Sequence, residues 1–509
     1  MKSRKVDASR FAVVALSIII QAVLAWLIIY TVNKVFVVAQ IIAYAIGVIL
    51  FLSIVNRDQP AVYKIPWIIL FLLAPFAGLM VYITFGNRKL TPRQKKKFRR
   101  IFNENNDGYY NQEKILKDLE EDGGKGLGLV RYLRSATSLP VFSDSTTEYI
   151  PTGEKFYAKL KEELKKCEKY VFMEYFIVQD GVMLQGILDI LKEKIKRGVS
   201  VYFMYDDVGS MSKVPPKFDK TLQKLGINAV IFNKFYPIVS ISHNNRDHRK
   251  ITVIDGKVGF ISGGNIADEY INETTRYGVW RDNAVCVKGQ AVDSIVRLFI
   301  QLYNMTSAKD LKEEDFIYTE HETFSDGFVF PFGDDPSPIT YDHISETTYL
   351  EIINQSKKYL YIATPYFIVD TNITDALKRA SRRGVDVRII IPEIPDKKII
   401  YMMTKSALPG LIEAGVKAYK FKDGFMHSKT VLSDGDVAVV GTANFDFRSF
   451  VHHFECAVLL YKTASLNALY DDFCILFGDE GEQIGYNQSK LKWYESLIKS
   501  VFNLFAPLM

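Results

Sequence analysis

The chain has 509 residues and a formal net charge of +6, length enough for two domains and a further segment. Four scattered cysteines, Cys167, Cys286, Cys456 and Cys474, show no CxxC pair and no metal-ligand spacing, which excludes a disulfide framework and fits a reducing compartment. No P-loop and no dinucleotide fingerprint is present, which excludes both of those nucleotide sites.

Charge is placed unevenly from the start of the chain. Residues 11–33, 35–55 and 65–87 carry none, and each is long enough for a hydrocarbon core that needs about 20 apolar residues. The pattern predicts an all-α transmembrane anchor over residues 1–87. A cleaved signal peptide fits poorly, because its single apolar region is shorter and ends in a small-residue cleavage site. Lys2, Arg4, Lys5 and Arg10 precede the first stretch, and residues 88–100 hold eight basic residues and no acidic one. The positive-inside tendency places both groups on the cytoplasmic side, which takes an even number of crossings. Three full crossings cannot meet this, so of the two or three hydrophobic segments either the first two form a tight hairpin across Lys34 or one lies shallow. Residues 88–135 read as a basic juxtamembrane linker that suits anionic headgroups, at about 1 kcal/mol per basic side chain near the surface.

Residues 136–320 and 321–480 read as two copies of one α/β unit. The run from Tyr170 to Phe176 parallels that from Tyr359 to Phe367, and Arg197-Gly198-Val199 parallels Arg383-Gly384-Val385. Each half predicts strand, helix, strand, a loop, and then a further strand that bears a motif. The first motif is His248-Arg249-Lys250 with Asp255, leading to Ser262-Gly263-Gly264-Asn265. The second is His427-Ser428-Lys429 with Asp434, leading to Gly441-Thr442-Ala443-Asn444. His, Asp and Asn each recur 179 positions later. Duplicated halves pair around a pseudo-two-fold axis, which would bring His248 and His427 to one cleft. Residues 481–509 close the chain with Tyr494, Leu497, Ile498, Val501, Phe502 and Phe505 on one face of an amphipathic helix. That face either docks on the rest of the chain or lies in lipid headgroups.

These residue types suit phosphodiester chemistry. One imidazole can attack phosphorus while a second protonates the departing alkoxide. Lys250 and Lys429, with the Asn265 and Asn444 side chains, can hold the phosphate and its developing charge. Asp255 and Asp434 stand at strand ends, before Gly256 and Gly435.

On the paired motif the chain resembles the phospholipase D superfamily. On Asn245-Arg246-Asp247-His248-Arg249-Lys250, Tyr205-Asp206-Asp207-Val208-Gly209-Ser210, Trp280-Arg281-Asp282, Thr364-Pro365-Tyr366-Phe367 and the run from Asn444 to Phe450 with Glu455, it is similar to the bacterial cardiolipin synthases. Tyr303, Gly333-Asp334-Asp335-Pro336 and His453 depart from the pattern, which more often has Trp, a Ser-Gly-Pro turn and Asn there. The resemblance implies two phospholipase D-like α/β domains in a pseudo-two-fold pair. It implies a multi-pass bacterial cell-membrane protein with two membrane helices and a cytoplasmic catalytic region. It further implies transfer of a phosphatidyl group between two phosphatidylglycerol molecules, giving cardiolipin and glycerol, with anionic lipids as partners and no nucleic acid. His248 would be the nucleophile and His427 the general acid and then base. Asp255 and Asp434 would set ring orientation, and Glu455 would join Asn265 and Asn444 at the substrate. No cofactor and no metal ion is expected, since the Asp-Gly pairs lack the spaced carboxylates of metal-dependent CDP-alcohol transferases. A hydrolytic phospholipase D and a catalytically silent membrane scaffold are the rival readings; the oligomeric state and the use of phosphatidylethanolamine stay open.

Overall fold

Short runs rich in Val, Ile, Tyr and Phe form the strands, and most are buried on both faces, as in sheets covered by helices above and below. The computed structural model describes residues 16, 19–23, 33–56, 61–85, 96, 101, 112–123, 125–234, 245–321, 326–336 and 343–505. They fall in two units, Met1–Lys89 with Lys234–Asn244 and Ser500–Met509, and Leu90–Asn233 with Asn245–Lys499.

The larger unit holds two sheets of one design. The first contains β1 (Ser145–Ile150), β2 (Tyr170–Tyr175), β3 (Ser200–Asp206), β4 (Asn228–Phe232), β5 (Lys250–Ile254), β6 (Val258–Ser262) and β7 (Ala284–Gly289). Their order across the sheet is β1-β7-β6-β5-β2-β3-β4. The second contains β8 (Phe328–Asp334), β9 (Tyr359–Ala363), β10 (Asp386–Pro392), β11 (Lys417–Phe421), β12 (Thr430–Ser433), β13 (Val437–Gly441), β14 (His453–Tyr461) and β15 (Gly481–Gln483). Its order is β8-β14-β13-β12-β9-β10-β11, with β15 added at the edge. The two orders agree strand for strand. The run β2-β3-β4 is parallel, as is β9-β10-β11, and the remaining neighbours are antiparallel.

Right after β2, the helix Val182–Lys196 buries Met183, Leu184, Ile187, Leu188 and Leu191 at three- and four-residue spacing. Gly198 and Gly384 close this helix and its counterpart Thr371–Arg382 at φ +90° and +93°, where a side chain is strained; this explains the repeated Arg-Gly-Val. Between β3 and the first motif the sequence predicted only a loop. The structure instead inserts a helix and a strand, Phe218–Lys224 with β4, and likewise Lys398–Glu413 with β11. Five-residue strands paired on one parallel neighbour carry too short a pattern to separate from loop. On the opposite face of the first sheet lies Ala291–Thr306, where Phe299 stacks on Phe172 at 4.2 Å and Tyr303 packs edge-on against Tyr202. Cys286 on β7 and Cys456 on β14 are buried free thiols in corresponding strands.

Two short ladders join the halves. Arg246–Asp247 pairs in parallel with His453 and Phe454, and Gly424–Met426 pairs in parallel with Val279–Arg281. Each ladder strand directly precedes a motif histidine, so each histidine is positioned by the other half of the chain.

In the smaller unit, helices span Asn33–Val55, Ala61–Leu73 and Pro75–Phe85 around a cluster of Ile54, Trp67, Phe71 and Tyr82. The third predicted segment is thus broken at Ala74, because Pro75 offers no N–H to continue the helical ladder. Among the described residues no helix is long and apolar enough to cross a membrane. Asn33–Val55 has 23 residues of backbone, but the side chains described on it begin at Ile41. Most of the first predicted segment, and all of residues 88–100 except Lys96, lie outside the described residues. The C-terminal helix spans Trp493–Phe505, with Trp493, Tyr494, Leu497, Ile498 and Val501 exposed.

Candidate active site

His248 lies between the Arg246–Asp247 ladder and β5, and its N–H donates to the Phe454 carbonyl at 2.9 Å. His427 repeats this, its N–H donating to the Arg281 carbonyl at 2.7 Å. The residue after each of those carbonyls is acidic, and its carboxylate meets the ring. His248 Nδ1 is 2.9 Å from both Glu455 oxygens, and His427 Nδ1 is 2.5 Å from Asp282 Oδ2. The Thr442 hydroxyl donates to Glu455 Oε2 at 2.5 Å, and the Asn283 N–H donates to Asp282 Oδ1 at 3.0 Å. A ring held through Nδ1 by a carboxylate has its tautomer and tilt set, and Nε2 is left as the reacting atom.

Lys250 and Lys429 are fully buried, and each ammonium donates to the carbonyl of its own motif histidine. Lys429 Nζ also stands 2.8 Å from His427 Nδ1. Burial lowers Lys250 to about 8 and Lys429 to about 7, the charge of Lys250 adding to the second shift. Burial likewise drives His248 well below the usual imidazole range, followed by the charges of Lys250, Lys429 and His427. His427 falls to about 4 from burial and Lys429, with Asp282 pulling the other way. Burial raises the Asp282 carboxyl, but His427 and Lys429 together hold it below its ordinary value. Groups from both motifs therefore act on each other in one site.

The structure brings together His248, Lys250, His427, Lys429 and Glu455. It does not bring Asp255 and Asp434 to them. Asp255 accepts the N–H groups of Glu168, Lys169 and Tyr170 at 2.7, 2.7 and 2.8 Å, at the far end of β5. Asp434 does the same for Lys357, Lys358 and Tyr359 at 2.9, 2.7 and 3.0 Å. A five-residue strand at about 3.3 Å per residue separates Asp255 from the ring it was expected to orient. Both aspartates fasten the turn leading into β2 or β9, and the carboxylates that contact the rings are those of Glu455 and Asp282. Asn265 is also committed elsewhere, accepting from Ile177 N at 2.9 Å and donating to the Tyr270 hydroxyl at 2.7 Å. Asn444 differs: its Nδ2 reaches Asp446 at 3.3 Å and its buried Oδ1 has no hydrogen-bond partner.

Arg249, the middle residue of the first motif, went unassigned in the sequence. Fully buried, it donates to the carbonyls of Glu455 and Leu298 and to Asp335 at 3.0 Å, so the atypical Asp335 is its counter-ion. The neighbouring Asp334 caps the next helix through Ile344 N and Ser345 N. Around the two histidines the walls differ. Tyr270, Trp280 and Phe425 ring His427 at 5.4, 5.1 and 5.7 Å between centroids. Phe176 and His453 stand beside His248, each at 5.1 Å. In the ladder register His453 occupies the place that Trp280 takes in the other half.

A duplicated α/β sheet that offers two carboxylate-held imidazoles and two buried lysines across its junction defines a phospholipase D-like unit. Comparison with known proteins agrees. The family model described as cardiolipin synthase, PLD-like domain, matches residues 349–474, and that described as phospholipase D-nuclease N-terminal matches residues 41–87. A cardiolipin synthase of Alkalihalophilus pseudofirmus is 34% identical over 91% of this chain and 92% of its own length. One of Halalkalibacterium halodurans is 32% identical with the same coverage. The crystal structure of the phosphatidylserine synthase of Haemophilus influenzae shares the fold, with a TM-score of 0.58 and 16% identity over 75% of this chain and 98% of that one. The chain belongs to the cardiolipin synthase family of phospholipase D-like phosphatidyltransferases.

Proposed function

We propose that this enzyme joins two phosphatidylglycerol molecules into cardiolipin with release of glycerol, at the cytoplasmic face of a bacterial membrane. His248 Nε2 attacks the phosphorus of the first lipid, the bond to the glycerol headgroup breaks, and His427 gives the departing oxygen its proton. A headgroup hydroxyl of the second lipid then loses its proton to His427 and attacks the phosphatidyl-histidine, and the P–N bond breaks. One phosphodiester replaces another, so no nucleotide is consumed and added glycerol drives the exchange backwards.

The observation that carries this reading is the pair of Nδ1–carboxylate bonds, each made across the two halves. Roles follow the resemblance: His248 is the nucleophile, kept neutral by burial, and His427 carries the proton, Asp282 raising its proton affinity. The negative charge of an entering phosphodiester raises that affinity further. Lys250, Lys429 and Asn444 supply the charge and the polar group that face the phosphate. Asp255, Asp434 and Asn265 support the frame. The anchor is supported by the N-terminal family match and by exposed Ile41, Ile49, Leu72 and Leu73 on its helices, and the basic run 88–100 would gather anionic lipid beside it.

The test is to incubate the purified protein with labelled phosphatidylglycerol in mixed vesicles and separate the products. Cardiolipin and glycerol in equal amounts are expected. Phosphatidic acid as the main product would make the enzyme a hydrolase, and no turnover would leave a scaffold.

A further inference from the structure

We propose that His453, Glu455 and His248 form a binding site for a transition ion of the Zn²⁺ class, and that the ion inhibits the enzyme by capturing the nucleophilic ring. One ligand atom from each of the three lies within 4.8 Å of the others. Glu455 Oε1 is the hub, 2.9 Å from His248 Nδ1 and 3.5 Å from His453 Nδ1. Ligand atoms of a tetrahedral Zn²⁺ with bonds of about 2.0–2.1 Å stand about 3.3 Å apart, so these separations already suit the ion. The other oxygen of Glu455 is fixed by Thr442, as outer partners fix metal carboxylates.

His453 supplies the independent observation. It is 6% exposed, and neither ring nitrogen has a hydrogen-bond partner. Its Nδ1 stands 3.5 Å from Glu455 Oε1, a charge contact outside hydrogen-bond geometry. A buried imidazole with no hydrogen bond is costly to keep, and metal coordination would satisfy one of its nitrogens. Two histidine nitrogens and a carboxylate oxygen form a set that suits Zn²⁺ and leaves a fourth position for water. Mg²⁺ and Ca²⁺, which favour oxygen, would find a single oxygen ligand here.

The chemistry of inhibition balances within one ring. Free His248 carries its proton on Nδ1, toward Glu455, and keeps the Nε2 lone pair for phosphorus. The ion takes the Nδ1 lone pair, the proton moves to Nε2, and no lone pair remains to form the P–N bond. A chelator reverses this, so the enzyme needs no metal yet senses one. The ammonium groups of Lys250 and Lys429 nearby oppose the ion's charge, and Glu455 offsets part of it. Sequence spacing hid the site because its ligands come from both halves.

The inhibition half of this inference rests on His248 as the nucleophile; the binding half does not. The experiment titrates the EDTA-washed full-length protein with Co²⁺, following its visible spectrum, and then with Zn²⁺, following both displacement and cardiolipin formation. The variant is His453→Asn, each protein being compared with its own metal-free rate. One ion per chain with the strong absorption of low-coordinate Co²⁺ is expected. Zn²⁺ should inhibit, EDTA should restore the rate, and His453→Asn should weaken both binding and inhibition by at least about tenfold. Equal binding by parent and variant, or no binding at one ion per chain, would overturn the site. Binding without inhibition would overturn capture of the nucleophile. If the metal-free protein makes no cardiolipin, the proposed function fails while the Co²⁺ spectrum still decides the site.

Discussion

His248 and His427 occupy matched backbone frames but unlike surroundings. Each takes its main-chain hydrogen bond and its Nδ1 carboxylate from the opposite half, from Phe454 and Glu455 in one case and from Arg281 and Asp282 in the other. Beyond that frame the symmetry ends. Aromatic rings surround His427, whereas His248 has the second imidazole of His453 at its side. The two halves thus share what holds a histidine and differ in what surrounds it.

The sharpest way to break this comparison is to remove each ring. His248→Ala and His427→Ala should each lower kcat/KM on the order of 10⁴-fold or more, with the double variant no worse than the poorer single one. A phosphodiester with a nitrophenol leaving group needs no acid, so His427→Ala should regain a nitrophenol burst on it while His248→Ala should not. Equal bursts from both would make the rings interchangeable. Next in size are the buttresses. Glu455→Gln and Asp282→Asn should each cost on the order of a hundredfold or more in kcat, measured by initial rates. Only Asp282→Asn should recover on the nitrophenyl substrate.

A smaller effect separates the lysines by pH. Lys429 at about 7 and Lys250 at about 8 lose their charge as pH rises, so kcat/KM should fall through that window. Lys429→Arg keeps a cation at every pH and should move the fall upward, even if the peak is lower. A profile that falls at the same pH in parent and variant would remove Lys429 from phosphate binding. Smallest in rate is Asp255→Asn. It should lose about 1.5–3 kcal/mol of stability in denaturant melts, from weakened bonds to three backbone N–H groups, with kcat nearly unchanged. A large kcat loss in a fully folded variant would return Asp255 to the reacting centre.

The duplication was legible because backbone needs repeat with it: Gly198 and Gly384 close equivalent helices, and each motif lysine starts or directly precedes an apolar strand. The true ring partners were not, since Glu455 lies 207 residues from His248 and Asp282 lies 145 from His427. Only the crossed ladders bring them near, and no local spacing encodes a crossed ladder. Asp255 and Asp434 misled for the opposite reason. Their fixed distance from each histidine reflects a strand length and a turn that the carboxylate fastens, so the regularity is architectural. Asn265 and Asn444 also share a spacing, yet Asn265 is consumed by Ile177 and Tyr270 while Asn444 keeps a free oxygen. Repeats fix backbone positions, and neighbours then decide what each copy does.

The central claim is that one composite site forms a single covalent intermediate on His248, with His427 serving the proton. Rapid acid quench with radiolabelled phosphatidylglycerol, followed by peptide mapping, tests it most directly. The account predicts at most one adduct per chain, on His248, absent from His248→Ala and retained by His427→Ala with the nitrophenyl substrate. An adduct on His427, or two adducts per chain, would contradict it.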